Sequence, residues 1–155
     1  MLRKCQSCDS TPNNSWSPWH WLALVTTCKA GDMTTSPESI VRDFCAAWER
    51  VNVEELLTFL APDAVYHNIP IDPLVGHEAI RAMMTMFTTD VTKIEFRMLH
   101  LAVSGGIVLT ERLDVFHKQG SLIELPVMGT FEIRNGKIVA WRDYFDLNQY
   151  MQQTT

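Results

Sequence analysis

The chain has 155 residues, of which 46% are hydrophobic and 20% charged, and its formal net charge is −5 at pH 7. These values are typical of one globular domain with a sizeable core. An acidic chain lacks the basic face that nucleic-acid binding requires, and no apolar run is long enough to cross a bilayer. We therefore expect neither nucleic acid nor a membrane as a partner.

Residues 1–35 differ in character from the rest of the chain. They show no sustained hydrophobic period, and they carry three of the five tryptophans and three of the four cysteines. A signal peptide would explain Arg3 and Lys4 ahead of "WLALV", but polar residues and a proline interrupt its apolar region. A zinc site would use Cys5, Cys8, His20 and Cys28, a spacing that matches no common zinc finger. We predict a poorly ordered N-terminal extension, 1–35, followed by one catalytic domain, 36–155.

The cysteines do not form the pattern of a disulfide framework. Cys45 lies within a predicted amphipathic helix, where it packs as a small apolar residue. A reducing compartment is the simpler interpretation, and we expect a cytoplasmic protein.

Regular structure is predicted from Ser36 onward. Ser36 is a typical helix N-cap and Pro37 a typical first helical residue, and apolar residues follow at helical spacing up to Trp48. A second short helix is predicted at "VEELLTFL", a strand at "AVYHNIP" and a third amphipathic helix at "GHEAIRAMMTMF".

The hydrophobic period then changes from helical spacing to two, which is typical of strands. Strands are predicted at about 93–103, 107–117, 122–133 and 138–146, and Asn135–Gly136 is the strongest hairpin signal. A last short helix begins near "LNQYMQQ". The order indicates an α+β fold, in which helices pack on one face of a curved mixed or antiparallel sheet.

Strand alternation places charged residues on apolar faces of this sheet. The predicted inward faces of the last three strands are Val108, Thr110, Arg112, Asp114 and Phe116; Ile123, Leu125, Val127, Gly129 and Phe131; and Val139, Trp141, Asp143 and Phe145. Tyr66 and Asn68 share one face of the first strand. An apolar cavity with a few convergent polar groups is the usual form of a small-molecule site.

Two interpretations of Arg112, Asp114 and Asp143 remain open at this point. In the first, "TERLDVF" carries an ion pair on a solvated sheet face. In the second, all three charges are buried together, which favours one ionised and one protonated aspartate with the guanidinium between them. Such an acid and base in one pocket would open an epoxide, because one group protonates the ring oxygen while the other activates water.

Residues from about Pro37 to Gln152 resemble the limonene-1,2-epoxide hydrolases, through the motifs "YHNIP", "TERLDVF" and "GKIVAWRDYFDL". The resemblance implies a cone-shaped fold of the nuclear-transport-factor-2-like type, a homodimer and an Asp–Arg–Asp triad. It implies that Asp143 activates water with help from Tyr66 and Asn68, and that Asp114 protonates the epoxide, with Arg112 between the two acids. The substrate-binding residues that it implies are Phe116, Leu125, Val127 and Phe145, to which we add Met84 and Phe87 at the mouth.

The leading hypothesis is a cofactor-free epoxide hydrolase that adds water to an apolar, cyclic, terpene-like epoxide and gives a vicinal diol. No cofactor and no metal are expected, because the histidines show no metal-binding spacing and no glycine-rich phosphate loop is present. One alternative is an isomerase or cyclase of the same fold, similar to ketosteroid isomerases or polyketide cyclases. The other is a non-catalytic domain that binds a small molecule.

Overall fold

The computed structural model describes residues 35–118 and 120–154. Apart from Thr35, the predicted N-terminal extension lies outside the described residues, and so do the cysteines and the histidine of the zinc alternative. Cys45, which is described, is buried within a helix as predicted.

Four helices and one short 3₁₀ turn are present in these ranges. Ser36 caps the first helix, because its Oγ accepts a hydrogen bond from the Ser39 backbone N–H at 3.1 Å. Asp146 caps the last helix through bonds from the Asn148 and Gln149 backbone N–H groups. The bounds are α1 Pro37–Ala47, the 3₁₀ turn Trp48–Arg50, α2 Val53–Phe59, α3 Gly76–Thr88 and α4 Leu147–Thr154. Among the described helices, none combines the length and the hydropathy needed to span a membrane.

The strands of the described residues form one six-stranded sheet in the order β2-β1-β6-β5-β4-β3. Their bounds are β1 Leu60–Asn68, β2 Leu74–Val75, β3 Val91–Ser104, β4 Ile107–Lys118, β5 Ser121–Arg134 and β6 Lys137–Tyr144. The last four strands form the predicted antiparallel meander. At the turn between β5 and β6, Asn135 and Gly136 both have positive φ angles, 52° and 74°, as a two-residue hairpin loop of this type requires.

Two features of the sheet differ from the predicted strands. The two-residue strand β2 was not predicted, because a strand this short leaves no alternation to recognise. β1 begins at Leu60 and pairs in parallel with β6, which makes the sheet mixed. The parallel pairing places Tyr66 opposite Trp141 and Asn68 opposite Asp143.

The hydrophobic core lies between α1, α3 and one face of the sheet. Phe44 of α1 contacts Trp141 of β6 and Phe131 of β5, with ring centroids 5.0 and 6.1 Å apart. Ile80 and Met84 of α3 are fully buried in the same core. The helices therefore cover the face of β4, β5 and β6 on which the charged residues were predicted.

Candidate active site

The alternation predicted for β4 and β5 is present in the structure. All five predicted inward residues of β4 are at most 4% exposed, and those of β5 are buried as well. In β6, Trp141 and Asp143 are buried as predicted, whereas Val139 packs against the core only in part. The register of β5 and β6 shifts between Glu132 and Ile133, and this bulge buries Ile138 and leaves Val139 only half-buried.

Arg112 joins the two aspartates in the interior. Its Nε donates to Asp114 Oδ1 at 3.0 Å, and its Nη2 donates to Asp114 Oδ2 at 3.0 Å and to Asp143 Oδ2 at 2.9 Å. The guanidinium carbon also lies 4.9 Å from the centroid of the Phe96 ring. Bidentate pairing of this kind combines charge with fixed geometry.

Burial decides between the two interpretations of the charged residues. The side chain of Arg112 is 0% exposed, and those of Asp114 and Asp143 are 4% and 6% exposed. A solvated ion pair on the sheet surface is therefore excluded. The three charges form one buried cluster in the core.

Tyr66 and Asn68 lie on β1, directly beside Asp143. The Tyr66 hydroxyl donates to Asn68 Oδ1 at 2.9 Å, and the Tyr66 ring stacks on Trp141 with centroids 4.1 Å apart. The parallel pairing of β1 with β6 is what brings these two residues to the carboxyl of Asp143. All five residues predicted as catalytic thus lie together.

The environment of the cluster keeps protons on its acids to higher pH than usual. Burial raises the pKa of Asp114 to about 6, although Arg112 acts in the opposite direction. Burial also raises the pKa of Asp143, again against the effect of Arg112. Burial opposes the charge of Arg112, but the two carboxylates hold its pKa well above the ordinary value. The two aspartates therefore titrate as a pair that shares one cation.

A cavity of about 220 Å³ opens onto Asp114, Asp143, Tyr66 and Asn68. The remainder of its wall is chiefly apolar and includes seven aromatic residues. Five of the six predicted substrate-binding residues line it: Phe87, Phe116, Leu125, Val127 and Phe145. Arg112 lies behind the wall and does not line the cavity.

Met84 does not line the cavity, contrary to our prediction. It lies one helical turn after Ile80 and points with it into the core, where it is 0% exposed. Met83 and Met86 of the same helix line the cavity instead. Hydrophobic spacing identifies the residues of α3 that point into the core. The cavity is lined by residues beside them on the helix surface, which this spacing does not identify.

Several polar atoms around the cluster were not singled out from the sequence. Thr110 Oγ1 accepts a hydrogen bond from Arg112 Nη1 at 3.0 Å. Asp143 Oδ1 and the indole nitrogens of Trp48 and Trp141 are buried without a hydrogen-bond partner in the described part of the chain. The Trp141 indole lies near enough to lower the pKa of Asp143, although its geometry is not that of a hydrogen bond.

The titratable groups of the site are two carboxyls that share one guanidinium. Within residues 35–118 and 120–154, no group of three or more His, Cys, Asp or Glu side chains is placed to hold a metal ion. The two carboxylates of the cluster are both occupied by the Arg112 guanidinium. The arrangement can donate a proton from one carboxyl and accept a proton at the other.

Comparison with known proteins finds related epoxide hydrolases. Residues 35–155 match the model of the limonene-1,2-epoxide hydrolase catalytic domain. The curated epoxide hydrolase EphG of Mycobacterium tuberculosis is 28% identical over 121 residues, which are 73% of this chain and 80% of that protein. The solved structure of an LEH-like epoxide hydrolase from M. tuberculosis aligns with a TM-score of 0.67 at 26% identity, covering 76% of this chain and 87% of that one.

Other solved structures share the fold at lower identity. A protein of ketosteroid isomerase-like fold from Catenulispora acidiphila aligns with a TM-score of 0.67 at 24% identity, covering 77% of this chain and 93% of that one. A putative polyketide cyclase from Xanthomonas campestris aligns with a TM-score of 0.68 at 20% identity, covering 77% and 96%. These two likenesses show the fold alone, which is the predicted nuclear-transport-factor-2-like, ketosteroid isomerase-like α+β fold. Since the family model spans the whole described domain, the chain belongs to the limonene-1,2-epoxide hydrolase family.

Proposed function

We propose that the protein is a cofactor-free epoxide hydrolase that adds water to a small apolar, cyclic, terpene-like epoxide and releases a vicinal diol. One observation carries the proposal: Asp114 and Asp143 share the buried Arg112 at one end of an apolar cavity. The family and the EphG relative support epoxide hydrolysis at the level of reaction class. The substrate and the roles of individual residues go beyond that support.

The charge of the cluster favours one proton on the aspartate pair. Two ionised aspartates and one arginine would leave an unbalanced negative charge in a region of low dielectric constant, which costs several kcal/mol. With one proton retained, the cluster is neutral. The raised pKa values of Asp114 and Asp143 agree with this state.

The reaction then starts with a proton on Asp114 and none on Asp143, and it moves one proton at each of the two carboxyls. Asp143 removes a proton from a water held by Tyr66 and Asn68, and the water oxygen forms a bond to one ring carbon. The bond from that carbon to the ring oxygen breaks, and the proton of Asp114 passes to this oxygen. A proton must move from Asp143 back to Asp114 before the next turnover. Arg112 keeps the two carboxyls in place throughout.

The cavity supports a small, apolar substrate. Its volume of about 220 Å³ lies below the roughly 300–1,000 Å³ that is usual for ligand sites. Apart from the reactive end, its wall consists chiefly of aromatic, methionine and aliphatic side chains, such as Phe116, Met83 and Leu125. A hydrocarbon ring fits such a wall, whereas a charged or sugar-like substrate would lose its hydration without replacement.

A screen of terpene, cyclic and sterol epoxides tests the proposal. We expect diol formation from a small cyclic epoxide by the wild type, and a loss of about 100-fold or more in kcat for Asp143→Asn and for Asp114→Asn. The exposed Asp72 supplies a matched control, because Asp72→Asn makes the same chemical change away from the site. Full turnover by either cluster variant would contradict the proposal. Turnover of a ketosteroid in preference to every epoxide would favour the isomerase alternative.

We also propose that the protein is a homodimer that uses the outer face of the sheet. Leu109, Met128 and Tyr144 lie on neighbouring strands of this face and are 45%, 51% and 47% exposed. Neighbouring apolar side chains at such exposure mark an interaction surface, and the resemblance to the family suggests a second copy as the occupant. Sedimentation of Met128→Glu as a monomer, with Val75→Glu on the short edge strand as a dimeric control, would support this. A monomeric wild type would contradict it.

A further inference from the structure

Arg112 and Asp143 belong to strands that are not neighbours. β5 lies between β4 and β6. Because adjacent strands are about 4.8 Å apart, the Arg112 side chain must reach across roughly 10 Å of sheet to bond Asp143. It does so over the inner face of β5, at a level where a side chain on β5 would stand in its way.

Gly129 is the residue of β5 at this crossing. The register places it directly between Thr110 on β4 and Asp143 on β6. A Cβ atom at Gly129 would lie 2.3 Å from Arg112 Nη1, 2.6 Å from Thr110 Oγ1 and 2.9 Å from Asp143 Oδ1. These separations are shorter than real Cβ contacts allow, so any side chain at this residue would displace the guanidinium.

Thr110 holds the end of the guanidinium that the aspartates leave free. Its Oγ1 accepts a hydrogen bond from Arg112 Nη1 at 3.0 Å. The other nitrogens bond the aspartates: Nε donates to Asp114, and Nη2 donates to both Asp114 and Asp143. Thr110 is 1% exposed and does not line the cavity, so it does not contact the substrate. Its hydroxyl therefore adds a restraint on the guanidinium plane, at the one nitrogen that does not bond an aspartate.

From this geometry we infer that Thr110 and Gly129 are positioning residues for the reaction. Thr110 orients the Arg112 guanidinium, and Gly129 provides the open space through which it reaches Asp143. The inference rests on the proposed function, since it gives Arg112 the task of aligning an acid and a base. It adds two residues that act through Arg112 without contacting the substrate.

Thr110→Val is the direct test, because valine has the shape of threonine without the hydroxyl. We expect kcat to fall about 10- to 100-fold, the loss typical of a small displacement of reacting groups, while KM stays within about twofold. Thr110→Ser restores the hydroxyl, and we expect kcat within about threefold of the wild type. Thr130→Val, on the half-buried outer face of the next strand, is the matched control and leaves kcat unchanged.

The role of Thr110 can also be tested without turnover, so that its test does not depend on the proposed function. NMR of the Arg112 side-chain nitrogens reports rotation about the Nε–Cζ bond. We expect restricted rotation in the wild type and in Thr110→Ser, and faster rotation in Thr110→Val. If the wild type hydrolyses no epoxide, the proposed function fails, and the NMR result still decides whether Thr110 orients Arg112.

Gly129→Ala provides a second variant. The clashing atoms are side-chain ends, so we expect the circular dichroism spectrum of the wild type together with an altered Arg112 resonance and a loss of about 100-fold in kcat. Unchanged rotation of Arg112 in Thr110→Val would overturn the inference. Faster rotation with wild-type kcat would overturn it as well, because the orientation of Arg112 would then have no effect on the reaction.

Discussion

Replacing Asp114 with asparagine tests whether the buried cluster holds a proton that the unfolded chain would release. Burial raises the pKa of Asp114 from 3.8 to about 6. Between these two values the folded protein binds a proton that the unfolded chain has lost. The contribution of this group to the free energy of unfolding is therefore fully present below pH 3.8 and is lost as the pH rises through 6.

The size of this contribution follows from the pKa difference. About two pKa units correspond to about 3 kcal/mol. We expect the wild-type free energy of unfolding, relative to that of Asp114→Asn, to decrease by an amount of this order between about pH 4 and about pH 7. The half-buried Glu95, whose pKa is lowered to about 2 by His117, Arg97 and Lys93, acts in the opposite direction. Its effect is the same in both proteins and cancels in the difference.

Urea unfolding at several pH values in this range provides the measurement. Asp114→Asn also replaces one of the two oxygens that accept from Arg112 with an NH₂ group, which cannot accept, so its absolute stability changes. Only the pH dependence of the difference is therefore diagnostic. Asp72→Asn again serves as the control and should give a curve parallel to the wild type. Parallel curves for wild type and Asp114→Asn would refute the reasoning, because they would show that the folded aspartate pair holds no proton that the unfolded chain releases.

Three further outcomes follow from the same structure. The value of kcat/KM should fall as the pH rises above about 6, because Asp114 then loses the proton it must donate; initial rates across this range measure the fall. Tyr66→Phe removes the hydroxyl that bonds Asn68 and should lower kcat about 10-fold with no loss of stability; retention of full kcat would show that Tyr66 does not help to hold the water. Ser36→Ala removes the cap from the Ser39 N–H and should lower the free energy of unfolding by about 1 kcal/mol, as measured by urea unfolding, without changing kcat.

The elements and faces that depend on local pattern could be predicted from the sequence. Ser36 and Pro37 mark the start of α1, and Asn135–Gly136 marks the β5–β6 hairpin, because each of these residues favours one backbone conformation. The inward faces of β4 and β5 follow from strict alternation. The same alternation placed Arg112 and Asp114 inside, even though their charge alone suggests the surface.

Features that depend on pairing between distant segments could not be predicted in this way. Nothing in "AVYHNIP" shows that β1 runs parallel to β6, yet this pairing puts Asn68 beside Asp143. The bulge that displaces Val139 arises from the register of two strands and leaves no local signal. Strand parity suggested that Tyr66 and Asn68 join the polar residues of one pocket, but it could not give the register that sets Asn68 opposite Asp143.

The predictions also missed residues that matter to the site through the size or the direction of the side chain, and not through its chemical type. Gly129 was recognised only as a member of an inward face, although the absence of its side chain is what allows Arg112 to reach Asp143. Met83 and Met84 are consecutive residues of the same type, and the rotation of about 100° between them directs Met84 to the core and Met83 to the cavity. One signal in the sequence would have indicated that Arg112 passes over β5. This signal is a glycine inside a strand whose two neighbouring strands carry opposite charges.

A single turnover in ¹⁸O-labelled water, with enzyme in excess over a small cyclic epoxide, tests the central claim most directly. If Asp143 activates water while Asp114 protonates the ring, the diol carries one ¹⁸O atom after the first turnover and neither aspartate acquires label. An unlabelled diol in that first turnover would show that an enzyme carboxylate had attacked the ring. That result, or the absence of diol from every epoxide offered, would contradict the account.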